Sequence, residues 1–131
     1  MKESISLVKH QQISKKFKID YNNIRELFYE KVKDRADEIF LISPGENTAE
    51  FTYTELKSLI KNTYSIFRRL ELKNKDRINL IFHNSPEFLI LYFSALCFGL
   101  TVVPINPDIA PEEMRYIISD SKSKVIFYSN T

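Results

Sequence analysis

The hydrophobic positions follow a helical period in some segments of the chain and form short continuous runs in others. Within residues 21–35, Leu27, Phe28 and Val32 lie three, four and eight positions after Ile24, which predicts an amphipathic helix. A second stripe with helical spacing consists of Leu56, Leu59, Ile60, Phe67 and Leu70. The chain is therefore predicted to contain at least two helices that each bury one face.

Short apolar runs between turn residues predict strands at 39–43, 77–82, 100–105 and 125–128. A further short strand is predicted to begin at Phe51 and to lead into the second helix. The run at 100–105 is interpreted as a continuous apolar strand, a pattern typical of a parallel strand that is covered on both faces.

Capping residues indicate where the helices begin and end. Thr52 and Glu55 form a capping box, in which each side chain accepts a hydrogen bond from the other residue's backbone N–H. Ser85 is the predicted N-cap of the next helix, with Pro86 at its first position, and Gly99 is predicted to close it.

The most apolar segment, residues 88–103, could be mistaken for a membrane span. It has sixteen residues and is interrupted at Gly99, whereas a spanning helix needs about 20. The sequence therefore predicts no membrane span. A helix that is apolar all round is covered on two sides in a protein interior, and we expect further chain or a partner to supply the second cover.

The order of these elements predicts the fold class. A third helix opens at Pro111 and turns Met114, Ile117 and Ile118 inward. Alternating strands and helices favour an α/β fold with three layers, in which helices flank a mostly parallel sheet. We expect residues 1–20 to be a flexible leader and residues 21–131 to be one α/β unit.

Composition and charge exclude several classes of protein. With 131 residues and 44% hydrophobic residues, the chain can bury the core of one domain. The net charge of +2 gives no reason to expect a nucleic-acid partner or an anionic membrane. The leader is interpreted as solvated, although it carries a loose basic cluster of Lys9, Lys15, Lys16 and Lys18.

The candidate catalytic and metal-binding residues are few. Two glycines, Gly45 and Gly99, cannot build a glycine-rich phosphate loop, and His10, His83 and one cysteine offer no metal site. His83 follows a strand, at the edge where open α/β sheets bind ligands. Without a second ligand or base nearby, we favour a surface-loop residue.

The remaining reactive side chains favour structural roles. Cys97 lies in the apolar helix, where burial disfavours the thiolate, and a lone cysteine fits a reducing compartment such as the cytoplasm. Glu112 and Glu113 match the positive end of a helix dipole. Asp108 and Asp120 are expected to stand alone, so the sequence predicts no catalytic residue and no metal site.

Four short motifs occur in order along residues 21–130. They are Thr52, Tyr53, Glu55 and Leu56; then Asp76, Ile78, Asn84, Pro86 and Glu87; then Gly99, Pro104, Ile105, Asn106 and Pro107; and last Pro111, Glu113, Met114, Asp120 and Ser121. Together they resemble the N-terminal portion of the adenylate-forming, or AMP-binding, ligase family, with the pattern of acyl- and aryl-CoA synthetases. The sequence departs from this pattern at Lys75, where the family usually has glycine, and at Cys97 and Phe98.

This resemblance implies a parent enzyme of fatty acid metabolism that joins a carboxylate to coenzyme A. In the family, the carboxylate attacks the α-phosphate of ATP to give an acyl-adenylate, and a thiol then displaces AMP, with magnesium neutralising the phosphates. The family's nucleotide, carboxylate and catalytic-lysine motifs have no match before Thr131. We therefore expect this chain to hold no cofactor and to be inactive alone, with the remainder of the ligase as its partner.

Two alternatives remain open. The chain could be a stand-alone, non-catalytic interaction module derived from this family, or an unrelated small α/β binder such as a receiver-like domain. A receiver needs an acidic cluster after its first strand, where this chain has only Glu46. If the chain is a fragment, we expect it to dimerise, to exchange elements or to bind a hydrophobic dye when isolated.

Overall fold

A computed structural model of the chain describes residues 20–45 and 48–129. The predicted leader therefore lies, apart from Asp20, outside the described residues. The elements in chain order are α1 (Ile24–Asp34), β1 (Ile39–Ser43), β2 (Ala49–Thr52), α2 (Tyr53–Arg69), β3 (Arg77–Ile81), α3 (Pro86–Phe98), β4 (Thr101–Ile105), α4 (Pro111–Ser121) and β5 (Val125–Tyr128). The helices and strands predicted from the sequence are confirmed in type and order.

The main sheet has three parallel strands in the order β4–β3–β5. In the register, Ile78 pairs with Val102 on one side and with Val125 on the other. Strands β1 and β2 form a separate antiparallel hairpin. The predicted α/β fold with a mostly parallel sheet and flanking helices is confirmed.

One face of the sheet, here called the closed face, packs against α2 and α3. Ile78 and Leu80 project from the central strand on this face and are fully buried. They contact Phe67 of α2 and Ala95 of α3, both also fully buried. The side strands add Val102, Val125 and Phe127 to the same core.

A second core joins α1, α2 and α3 to the hairpin. Its buried members are Phe28, Val32, Leu56, Ile60 and Cys97. Phe28 meets Phe40 of β1 edge to face, with ring centroids 6.2 Å apart. Helix α3 thus lies between this core and the sheet. Only Ser94, Ala95 and Cys97 of α3 are buried, and residues 88–93 are half-buried, so our expectation that further chain or a partner supplies the second cover of α3 stays a prediction.

The opposite face of the sheet, here called the open face, carries α4 as its third layer. Asn79, Ile105, Ile126 and Tyr128 belong to this face by strand alternation. Helix α4 contacts β4, and Ile105 is 3% exposed, but no residue of α4 is itself buried. Ile126 and Tyr128 of β5 are 40% and 64% exposed, so the cover of this face is incomplete.

Strand β4 differs from the sequence-based expectation. Thr101 and Pro104 are exposed, so the prediction of a strand covered on both faces is wrong for the described part of the chain. The physical reason is position, because β4 is an edge strand: α4 covers its open face only in part, and Pro104, which pairs with Leu80 on the closed face, is also exposed.

The predicted caps are present. Glu55 N–H donates to Thr52 Oγ1 at 3.2 Å, and Thr52 N–H donates to Glu55 Oε2 at 2.8 Å. Ser85 Oγ accepts from Phe88 N–H at 3.2 Å. Gly99 closes α3 with φ of 94°, a conformation that glycine adopts without strain.

Candidate functional site at the carboxyl edge of the sheet

The ends of β3 and β4 bring polar side chains together at one edge of the sheet. His83 and Asn84 follow β3, and Asn106 and Asp108 follow β4. Because the two strands are parallel neighbours, their carboxyl ends meet at the same edge, which is where open α/β sheets bind ligands. This edge is the candidate site.

His83 and Asp108 lie side by side at this edge. His83 Nδ1 lies 3.7 Å from Asp108 Oδ2, and the two side chains are 55% and 71% exposed. The distance exceeds that of a hydrogen bond, so the two side chains are neighbours without a hydrogen bond between them. The prediction that Asp108 stands alone is wrong, and His83 has the acidic neighbour that the sequence did not reveal.

Asn106 sets the position of Asp108. Its side-chain Oδ1 accepts a hydrogen bond from Asp108 N–H at 3.0 Å, which closes a turn directly after β4. The sequence contained a signal for the contact between His83 and Asp108. An Asn-x-Asp segment follows one parallel strand, and a histidine follows the neighbouring strand.

Two open surface pockets, here called the hollows, lie on either side of His83. One has a volume of about 400 Å³ and is bordered by His83, Asn84, Asn106 and Asp108 together with apolar side chains. The other, also about 400 Å³, includes Glu87 and Ser129. Both present hydrogen-bonding groups beside an apolar wall that contains Phe82, so they suit a ligand or a chain segment with polar and apolar parts.

The side chains that the sequence assigned to structural roles lie away from these hollows. Cys97 is 1% exposed, and burial raises the pKa of its thiol to about 11, so the predicted burial is confirmed. Glu112 pairs with Arg115 Nη2 at 2.9 Å on the surface of α4. Asp120 and Glu113 are exposed.

The described residues do not fit a nucleotide–magnesium site. No group of three or more His, Cys, Asp or Glu side chains within residues 20–45 and 48–129 could hold a metal ion. Gly99 closes a helix, and Gly45 lies after β1, so neither belongs to a phosphate loop. His10 lies outside the described residues. No helix in the described part is both long and apolar enough to cross a bilayer.

Comparison with protein families gives a match over most of the chain. The family model for the AMP-binding enzyme matches residues 28–131. Long-chain-fatty-acid–CoA ligase FadD13 of Mycobacterium tuberculosis is 36% identical over 77 residues, which are 59% of this chain and 15% of that protein. 4-Hydroxybenzoate–CoA/benzoate–CoA ligase of Rhodopseudomonas palustris is 28% identical over 112 residues, or 85% of this chain and 20% of the ligase.

Solved structures match the fold. A fatty acyl CoA synthetase of Mycobacterium tuberculosis superposes with a TM-score of 0.75 at 29% identity, over 81% of this chain and 21% of that one. The N-terminal subdomain of Klebsiella oxytoca NpsA superposes with a TM-score of 0.77 over 85% of this chain and 28% of that one, at 18% identity. At this identity the NpsA likeness concerns the fold. The chain spans about one fifth or less of the length of the ligases it matches.

Proposed function

Since the chain belongs to the AMP-binding enzyme family, we propose that it forms the N-terminal portion of an ATP-dependent acyl-adenylating ligase. The observation that carries the proposal is the family match over residues 28–131, which includes all the described elements from the middle of α1 onward. The relatives are named as CoA ligases of long-chain fatty acids and of benzoates. We infer a carboxylic acid as substrate and coenzyme A as acceptor.

The complete enzyme would join these in two steps. The substrate carboxylate attacks the α-phosphorus of ATP and pyrophosphate leaves, which gives an acyl-adenylate. The thiol sulfur of coenzyme A then attacks the acyl carbon, AMP leaves, and the thiol proton passes to a base. Magnesium would balance the phosphate charge in the first step. Because the described residues form no nucleotide site, we assign ATP, magnesium and coenzyme A to the remainder of the ligase.

The described part would serve as a support. Its closed face is centred on a fully buried core, while the open face and the carboxyl edge present surfaces on which further chain can pack. The exposed Ile126 and Tyr128 suit burial by another layer of the same domain. On this proposal the chain is inactive alone, its partner is the rest of the ligase, and a reduced Cys97 fits a cytoplasmic protein.

The experiment begins with the coding sequence beyond the codon for Thr131. If the frame continues into a Ser/Thr/Gly-rich loop that ends in Pro-Lys-Gly, we expect the longer product to catalyse carboxylate-dependent exchange of pyrophosphate into ATP. The 131-residue chain is the matched control and should catalyse no exchange. A frame that stops at this codon, or a longer product without exchange, would contradict the proposal and favour the interaction module.

A further inference from the structure

The amino edge of the sheet, opposite the candidate site, carries a concentration of positive charge. Helix α2 ends at this edge, and β3 and β5 begin there. We use the name amino-edge surface for its exposed basic residues and two exposed aliphatic ones. The basic members are Arg68, Arg69, Lys73, Lys75, Arg77, Lys122 and Lys124, and the aliphatic members are Ile66 and Leu70.

The acidic residues of this edge neutralise only part of the charge. Asp76 is half-buried and engaged, because its Oδ2 accepts from Lys124 Nζ at 2.7 Å and from Lys73 N–H at 2.7 Å. The other carboxylates at this edge are Glu71 and Asp120. Within residues 20–45 and 48–129, Lys75, Arg77 and Lys122 make no ion pair. The net charge of the whole chain therefore conceals a local positive surface.

Backbone conformation at this edge is unusual. The non-glycine residues with positive φ in the described chain are Glu71 (54°), Lys75 (70°) and Lys122 (50°), and all three lie here. Glycine adopts this conformation at lower cost than a residue with a side chain. Two of the three positions nevertheless carry a lysine, and such a local cost is a reason to look for a function of the side chain.

The apolar members distinguish between classes of polyanion. Ile66 and Leu70 are 38% and 42% exposed and, four positions apart at the end of α2, lie on one side of the helix next to Arg69. Aliphatic side chains beside Lys and Arg suit the boundary between lipid headgroups and acyl chains. Single-stranded nucleic acid would instead need aromatic side chains for stacking, and the exposed tyrosines of the described chain, Tyr116 and Tyr128, lie in the middle of α4 and at the carboxyl end of β5.

We propose that the amino-edge surface binds peripherally to a membrane that contains anionic phospholipids. The lysines and arginines contact lipid phosphate groups, and Ile66 and Leu70 enter the headgroup region. The carboxyl edge then faces away from the bilayer, since it carries the exposed carboxylates of Glu87 and Asp108. The proposal does not depend on the proposed ligase function.

Vesicle sedimentation tests this proposal with the full chain. Phosphatidylcholine vesicles with and without phosphatidylserine are mixed with the protein at about physiological salt. The test variant is Lys75→Glu/Arg77→Glu/Lys122→Glu, and the control with the same change of charge is Lys33→Glu/Lys61→Glu/Arg115→Glu, at exposed positions outside the surface. Circular dichroism confirms that each variant is folded.

We expect the unmodified chain to sediment with anionic vesicles and not with neutral ones. The test variant should lose about a hundredfold or more in partition coefficient, because it removes three basic side chains and each one near an anionic surface contributes about fivefold. The control should lose much less. Equal losses in both variants, or no sedimentation of the unmodified chain, would overturn the proposal.

Two further arms complete the test. If the surface binds lipid, Ile66→Gln/Leu70→Gln should reduce the vesicle binding that remains at high salt. If the charge-reversed variant does not fold, this second variant still tests the surface. A short DNA duplex and polyglutamate are added as competitors. Each competitor is added at a concentration of negative charge equal to that of the lipid. If either one releases the protein from the vesicles, the ligand is a soluble polyanion and the membrane proposal is contradicted.

Discussion

The closed and open faces of the one parallel sheet differ in how completely they are covered. On the closed face, Ile78 and Leu80 are fully buried beneath α2 and α3. On the open face, Asn79 is fully buried near α4, while Ile126 and Tyr128 remain 40% and 64% exposed. The chain thus completes one core and leaves the other in part exposed, as expected of one section of a larger domain.

The two faces also differ in how they are held together. The closed face uses large apolar side chains, with Phe67 in edge-to-face contact with Phe98 and Phe127 at 5.4 and 5.9 Å. The open face joins its helix to the sheet through a polar contact, in which Asn79 Nδ2 donates to Ser121 Oγ at 3.3 Å. Burial on the closed face therefore stabilises the sheet more than burial on the open face does, and the polar contact joins α4 to the central strand.

Replacing one aliphatic residue on each face should give the largest difference. Leu80→Ala removes a fully buried side chain, and we expect a loss of about 2–5 kcal/mol in the free energy of unfolding. Ile126→Ala on the adjacent strand should cost only about 1 kcal/mol, because its side chain is already 40% exposed. Urea denaturation of both variants measures the difference.

The comparison would fail if the two losses were equal. That result would mean that the open face is covered in solution, for example by a second copy of the chain. Sedimentation velocity and binding of a hydrophobic dye to the unmodified chain distinguish the two cases. Dye binding that Ile126→Ser/Tyr128→Ser reduces would locate the exposed surface on the open face.

The sequence predicted the elements of both faces but not their cover. Periodicity and caps identified α3 from Ser85 to Gly99, because those signals are local. Which elements lie against α3 depends on contacts with α1 and α2, which are distant in sequence, and so the sequence did not reveal which of its faces the chain itself covers. The contact between His83 and Asp108 was missed for the same reason, since it requires the pairing of β3 with β4.

Removing the polar contact of the open face should have the next largest effect. The hydroxyl of Ser121 lies 3.3 Å from Nδ2 and 3.4 Å from Oδ1 of the buried Asn79 amide. Ser121→Ala removes this hydrogen-bonding partner. We expect a loss of about 1–3 kcal/mol, because an unsatisfied buried polar group is costly. Hydrogen exchange should then increase in α4 and remain unchanged in α3.

A double-mutant cycle provides the control for Ser121. Asn79→Leu/Ser121→Ala removes both partners of the hydrogen bond, so the double variant should recover part of the stability that Ser121→Ala loses. If the two losses add, the amide and the hydroxyl do not interact, and α4 is held by its apolar contacts alone.

Lys75→Gly should stabilise the chain by a smaller amount. Lys75 has φ of 70°, which costs a residue with a side chain about 1–2 kcal/mol. Greater freedom of glycine in the unfolded state offsets about 0.4–1 kcal/mol of that gain. We expect a net stabilisation of about 0.5–1 kcal/mol in urea denaturation, whereas Lys73→Gly, at a position without positive φ, should destabilise.

The smallest predicted effect concerns the ion pair between Asp76 and Lys124, which ties the start of β5 to the start of β3. Strand β5 carries the exposed Ile126 and Tyr128 of the open face. Asp76 directly precedes β3, and its carboxylate accepts a hydrogen bond from Lys124, which directly precedes β5. This hydrogen bond is the largest of the interactions that hold the pKa of Asp76 below its ordinary value of 3.8. Because the folded pKa is lowered, this stabilisation is complete above pH 3.8 and is lost as pH falls through the folded value. Asp76→Asn should therefore lower the urea midpoint slightly at pH 6 and reduce its decline below pH 4. An unchanged acid limb in this variant would show that other carboxylates cause the acid sensitivity and that β5 is held by the sheet alone.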